Sequence, residues 1–258
     1  MADLTPRVFF CRLGRLKFVV LAMLLTTGSG CAEGETLSAD QVLDSMITAV
    51  ASRPSRSAIQ SLTATAECMG PDGAFDTTVT SIRPDTVYFR QASERGITEI
   101  WSTAERTWGG NVGEEYESLT SQVRDFVRGH EFHLMIIDIK DRFSEFELVG
   151  REKMGDTDCL RISMKDAADA DASVCVRSDD WLPAEMQLNP GSAAGPIRIV
   201  FDDWRESQGL NLFHAIDLIE EPDRVFSYDY VDISVNTFAV EMRVPPPDLP
   251  SVQRSEPQ

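Results

Sequence analysis

Between Cys159 and Asn236 the chain alternates apolar and polar residues in short runs broken by turn formers. Leu160, Ile162 and Met164 alternate with Cys159, Arg161 and Ser163. After the acidic, small-residue stretch 166–172, Val174 and Val176 share one side of 173–177. Trp181-Leu182-Pro183 leads into 184–188, where Met186 and Leu188 alternate, and 189–196 turns again. Ile197, Ile199 and Phe201 then oppose Arg198, Val200 and Asp202, and runs 210–219 and 224–235 follow across Gln208-Gly209 and Glu221-Pro222-Asp223. Period-two patterning with frequent turn signals predicts an antiparallel meander with one apolar face. Such a face must be covered by something.

The same pattern occupies the first half of the chain. Residues 61–68, 75–82, 86–91, 97–101 and 106–108 read as strands, with turns at 69–73, 83–85 and 102–105. Run 141–146 resumes the sheet after an interruption, and 146–149 opens a strand leading to Gly150. A sheet of about ten or eleven strands results. Two stretches have helical spacing instead. In 38–52 a capping Ser38 precedes Val42, Met46, Ile47 and Val50, until Arg53-Pro54 breaks the run. In 119–136 Val123, Phe126, Val127, His130, Leu134 and Met135 predict one or two amphipathic helices, with a break at Gly129. The fold class is mainly β with a few helices (α+β).

Residues 1–30 read as an export signal: Arg7, Arg12, Arg15 and Lys17, then the apolar run 18–25, then small residues. Gly28-Ser29-Gly30-Cys31 resembles a lipoprotein box, although Leu is usual where Gly28 stands, and this nominates Cys31 for lipidation. Residues 31–37 form a tether, 38–247 one domain, and the Pro-rich end 248–258 a disordered tail. The whole chain carries a formal charge of −18, and removal of the signal deepens it to −21. A body so acidic is repelled by phosphate backbones, which argues against nucleic acid as a partner.

Of five cysteines, Cys68, Cys159 and Cys175 remain once Cys11 and Cys31 are set aside. One internal bridge and one leftover thiol is the most they allow. Aligning Leu160 with Val176 and Ile162 with Val174 sets Cys159 and Cys175 diagonally on the outer face. Diagonal neighbours sit ~7–8 Å apart, beyond the usual disulfide reach of roughly 4.4–6.8 Å, so the spacing permits a bridge without favouring it.

No motif carries catalysis. His130 and His133 in His130-Glu131-Phe132-His133 stand three apart, not the four of a zinc helix, and lack a third ligand. Asp169-Ala170-Asp171 begins like a calcium loop but has Val174 and Asp180 at the sixth and twelfth positions. Asp179-Asp180 and Asp202-Asp203 read as turn residues, and Trp101, Trp108, Trp181 and Trp204 as core or rim. The sequence implies no metal, no cofactor and no enzyme.

Five pieces in order give a family resemblance. After helix 38–51 come Gly150-Arg151-Glu152 with Gly155 through Leu160, then Val176 and Asp179-Asp180-Trp181-Leu182-Pro183. The run 201–216 and the strand ending at Val235-Asn236 complete the set. Together they resemble the outer-membrane lipoprotein-sorting (LolA/LolB-like) superfamily over about 38–247. Phe213 stands where that family often has Pro, and Val244 where Phe often precedes the last Pro. The resemblance implies a strongly curved, incomplete β-barrel with helices packed in its mouth and a concave face that holds acyl chains. It thus implies a lipid-anchored protein on the periplasmic side of a bacterial membrane, the outer membrane in the family's name, with a lipid or acyl chain as ligand. The residues expected on that face are Leu160, Ile162, Met164, Val174, Val176, Met186, Leu188, Ile197, Ile199 and Phe201. The alternative is a sensory or structural lipoprotein whose curved sheet docks a protein partner, as sigma-factor regulators of the superfamily do. A lidded cavity of acyl-chain size favours the first, and a cavity filled by the protein's own side chains the second.

Overall fold

The computed structural model describes residues 37–189, 195–220 and 224–237. The export signal, Cys31, nearly all of the tether, turn residues 190–194 and 221–223, and the tail lie outside the described residues.

Helix α1 (Ala39–Val50) begins as its sequence dictates. Ser38 Oγ accepts from the Gln41 N–H at 3.2 Å while Gln41 Oε1 accepts from the Ser38 N–H at 2.7 Å, a reciprocal capping box. Its buried stripe is Val42, Leu43, Met46, Ile47 and Val50. Ser52 caps a second helix, α2 (Arg53–Ala58), with Pro54 in its first turn, where a missing N–H costs nothing. The expected break is therefore a change of helix.

Strands β1 (Ser61–Gly70), β2 (Gly73–Ile82), β3 (Thr86–Ser93), β4 (Gly96–Ser102), β5 (Thr107–Asn111) and β6 (Glu117–Ser118) follow as hairpins. A helical insert then comprises α3 (Ser121–Gly129), α4 (Phe132–Ile137) and α5 (Ile139–Arg142). The second block holds β7 (Ser144–Met154), β8 (Thr157–Lys165), β9 (Asp171–Arg177), β10 (Pro183–Leu188), β11 (Ile197–Ser207), β12 (Leu210–Glu220) and β13 (Arg224–Val235). Among the described residues these thirteen strands form one antiparallel sheet in the order β6-β5-β4-β3-β2-β1-β13-β12-β11-β10-β9-β8-β7. The only non-sequential neighbours are β1 and β13, which join the two meanders. The sheet is curved and does not close, β6 and β7 being its two edges.

Thirteen strands exceed the expected ten or eleven, partly because two-residue β6 is too short to show periodicity. Residues 141–142 end helix α5, contrary to the expectation that the sheet resumes there, and β7 starts at Ser144. Strand β7 also runs through Gly150, whose φ of +147° marks a register shift and no turn. Asp202 and Asp203 lie inside β11, where Asp203 has φ +51°, and are not turn residues.

The registers Leu160↔Val176 and Ile162↔Val174 occur as expected. Cys159 and Cys175 nevertheless form a disulfide, their Cα atoms 5.6 Å apart. Right-handed twist draws one diagonal of a strand pair together and opens the other, and a flat-ladder estimate omits that contraction. Cys68 is the leftover thiol, buried and pushed up to about 12 by desolvation.

Two apolar clusters lie on the concave face. The larger gathers α1 and α4 with β1 and β8 to β13. The smaller joins Val87, Phe89, Ile100 and Val127, so α3 covers the β3–β4 end.

Candidate hydrophobic-ligand face

The ten nominated side chains share one face because their registers are continuous. One row runs Ile162, Val174, Met186, Ile199, Leu218 and Phe226, each opposite the next. Leu160 with Val176, and Phe201 with Ile216, extend it lengthwise. Eight of the ten are buried; Leu188 and Ile197, opposite each other near the ends of β10 and β11, are half-buried against the same cluster. The face also extends further than the nominated set. Ile216 and Tyr228 oppose each other, Tyr228 opposes Cys68, and Tyr230 opposes Ala66. On β1 and β13 the inward positions include alanine, cysteine and tyrosine, which are weak hydrophobic signals in a sequence.

What lies on the face is protein. Phe132, Leu134, Met135, Ile136 and Ile137 of α4 are all buried there, beside the stripe of α1. Between α4 and β1–β2 a void of about 10 Å³ remains, bounded by Leu62, Ala64 and Val79. That is room for a single water. A shallow groove of about 460 Å³ lies outside this core, between Trp181 and the Asp44, Ser45, Thr48 and Ala49 side of α1.

Polar contacts hold the cover in place. Arg83, in the β2–β3 turn, donates to both carboxylate oxygens of Asp138 at 2.6 and 2.7 Å and to the Arg56 carbonyl at 3.3 Å. One guanidinium thus ties together α2, the α4–α5 joint and the sheet. Glu131 is buried between α3 and α4 and pairs with Arg142 at 3.0 Å and Arg128 at 3.4 Å. Lys140 reaches Asp44 and Asp40 of α1 at 2.8 and 3.0 Å. The acids of that last pair are exposed, so it contributes little.

His130 and His133 do not converge. The His133 ring stacks on Phe213 (centroids 3.9 Å apart, 7° between planes), and its Nε2 donates to the Phe213 carbonyl at 3.0 Å. His130 Nδ1 donates to the Phe126 carbonyl at 2.8 Å. Burial depresses both imidazoles, His133 to about 4. His133 is a core histidine, whereas His130 is half-buried at the rim. Glu152 comes within 3.2 Å of Cys175 Sγ, but both sulfurs of that trio are consumed in the disulfide and offer no thiolate. On the outer face buried Glu185 accepts from Arg161 at 2.9 Å, Arg198 at 3.0 Å and Gln187 at 2.8 Å. Trp101 and Trp108 are buried opposite each other on β4 and β5, while Trp181 and Trp204 pack against the large cluster.

No protein-family model and no curated protein sequence matches the chain. Solved structures do match it. A LolA superfamily protein from Nitrosomonas europaea superposes with TM-score 0.55 at 12% identity, covering 79% of this chain and 96% of that one. An outer membrane lipoprotein-sorting protein domain from Vibrio parahaemolyticus gives 0.55 at 12% identity, covering 79% and 95%. A DUF1329 family protein from Desulfovibrio piger gives 0.54 at 11% identity, covering 78% and 95%. At such identities the likeness is one of fold. It is the fold that the five sequence pieces imply.

Proposed function

We propose that this chain is a divergent member of the lipoprotein-sorting superfamily and a non-catalytic, extracytoplasmic lipoprotein, anchored through Cys31. In this reading it takes up a lipid or acyl chain on the concave face between β8–β12 and helices α1 and α4. The supporting observation is the continuous apolar row from Ile162 to Phe226, roofed in part by a helix of six residues. A helix that short has no stability of its own and persists only through its packing. Each large apolar side chain gains ~1.5–3 kcal/mol on burial and each methylene ~0.8 kcal/mol. An acyl chain of about ten or more methylenes therefore gains as much on this face as the apolar residues of α4 do. Exchange of one for the other is close to balanced. The names of the solved relatives, lipoprotein sorting among them, point the same way.

One observation favours a second reading. The face is filled by the protein's own side chains, with a water-sized void, as expected of a sheet that docks a protein partner. Native mass spectrometry of the purified protein, with a fluorescent fatty-acid titration, separates the two. The lipid reading expects co-purified lipid or saturable probe binding. Glu at fully buried Met186 or Ile199 would unfold the core, so the informative substitutions are Leu188→Glu and Ile197→Glu, at half-buried positions. These should weaken the probe at least tenfold. Absence of lipid and of probe binding, or folded variants that bind like wild type, leaves the partner-docking reading in place.

A further inference from the structure

The short helix over the concave face carries a chemistry that nothing in the ligand reading uses. Two of the three histidines in the chain, His130 and His133, sit at its start, and both face aromatic rings. His133 lies on Phe213 of β12 and meets the Tyr230 ring of β13 edge-on, 4.8 Å between centroids. His130, half-buried, meets Phe89 of β3, Phe126 of α3 and Phe132 of α4, with centroids 5.2, 4.3 and 5.5 Å away. In each imidazole one nitrogen donates to a backbone carbonyl, so the other carries the lone pair that a second proton would take.

The surroundings contain no anion free to receive that proton's charge. Opposite His133, β12 presents His214, whose own charge would repel it, and β13 presents the phenol of Tyr230, which burial keeps protonated. On the void beside it, β1 and β2 present Leu62, Ala64, Val79 and Ser81, none of which titrates. The carboxylate on that void, Glu131, is bound to Arg142 and Arg128. Around His130 the groups in contact are rings, and its charged chain neighbours Arg128 and Glu131 are bound to each other. Burial, the largest influence on His133, disfavours its imidazolium more than the hydrogen bond to the Phe213 carbonyl supports it.

We propose that the segment bearing His130 and His133 is an acid-released cover: protonation of these two imidazoles detaches α4 from the concave face while the sheet stays folded. The asymmetry follows from topology. The sheet is held by thirteen paired strands and a disulfide, whereas α4 is held by side-chain packing, the His133–Phe213 hydrogen bond, the Arg83–Asp138 clamp and the Glu131 pairs at its start. The sign follows from linkage. A histidine depressed in the closed state stabilises closure fully above its free value near 6.5, and that contribution falls away as pH drops below it. For His133 the interval from 6.5 to about 4 corresponds to roughly a 300-fold shift in the open-to-closed ratio. No ligand is needed for the effect, so the inference stands or falls apart from the lipid reading.

The test is hydrogen exchange by mass spectrometry on the full-length protein between about pH 7.5 and pH 4, corrected for intrinsic exchange. Peptides covering 130–142 should open progressively below pH 6.5, by up to roughly 300-fold, while peptides from β8–β12 keep their protection. A His130→Gln/His133→Gln variant, which keeps a neutral donor at each position, should show no such dependence. Flat protection over α4, loss of sheet protection in parallel, or an unchanged pH response in the variant would each overturn the proposal. Should that variant not fold, imidazole NMR of the wild type decides, since the chain has three histidines to assign. His133 must titrate over the range in which α4 opens, and titration near 6.5 with α4 still protected would rule the mechanism out.

Discussion

Asn236 shows how much one side chain can organise. Its Oδ1 accepts from the backbone N–H groups of Gln60 and Ser61 at 2.6 and 3.2 Å, and its Nδ2 donates to the Ala58 carbonyl at 2.8 Å. It thereby ties the end of β13 to the junction of α2 and β1, at a backbone φ of +57° that asparagine tolerates better than other non-glycine residues. Asn236→Ala loses the three hydrogen bonds and strains the backbone, a cost of ~2–3 kcal/mol, and Asn236→Gly should recover about 1 kcal/mol of it by relieving φ. Urea denaturation measures both. Variants within ~0.5 kcal/mol of wild type would show that the junction holds without this residue. Val235-Asn236 stands out in the sequence as one piece of a family pattern, yet what it does, tying the end of β13 to the α2–β1 junction, needs the partners at 58–61. His133 is the converse case. Its sequence spacing raised a metal question, but its aromatic surroundings come from β12 and β13, about 80 and 97 residues away, and no local pattern could show them.

At the scale of elements, legibility followed the continuity of the period-two signal. Registers in β8 and β9 could be read because each strand alternates without interruption. Strand β11 could be followed only to Phe201. Its next inward ring is Trp204, three positions on, because Asp203 at φ +51° breaks the alternation, and across from it Phe213 and Ile216 are likewise three apart in an unshifted register. Residues 141–142, the end of α5, read as strand because a helix of four residues cannot display a helical period. The disulfide between β8 and β9, which the sequence permits without favouring, forms because twist draws that diagonal together. A bridge closing a 16-residue separation constrains the unfolded chain by ~3 kcal/mol. Replacing both Cys159 and Cys175 by Ser should therefore lower the unfolding free energy by about 2–4 kcal/mol, read from the urea midpoint under non-reducing conditions. A midpoint unchanged from wild type, or one that shifts equally when a reductant is added to the variant, would mean that this bridge stabilises nothing.

The molecule as a whole is one sheet with two unequal covers. From β7 round to β1 the concave face is roofed by α1 and α4, stapled by the Cys159–Cys175 bridge and packed into a single large cluster. Beyond β1 the cover is α3, over a cluster whose buried members are Val87, Phe89, Ile100 and Val127. Phe126 on that helix is left 48% exposed, so its aromatic ring gives only part of its burial energy to the interface. The sequence showed both helical stretches but not the imbalance between them, because burial depends on which strands curl beneath each helix. Imbalance of this kind should divide the stability of the domain. Regions with few buried apolar contacts open at lower free energy than the core they adjoin. Amides of β3–β5 and α3 should thus exchange through a partial opening that leaves β8–β12 protected, with a gap of ~2 kcal/mol or more, since the smaller cluster lacks several large side chains worth ~1.5–3 kcal/mol each. Native-state hydrogen exchange at neutral pH, with His133 uncharged, reads this directly. If both ends of the sheet exchange with one free energy and one denaturant dependence, the thirteen strands unfold as a single unit and the β1–β2 seam is no boundary.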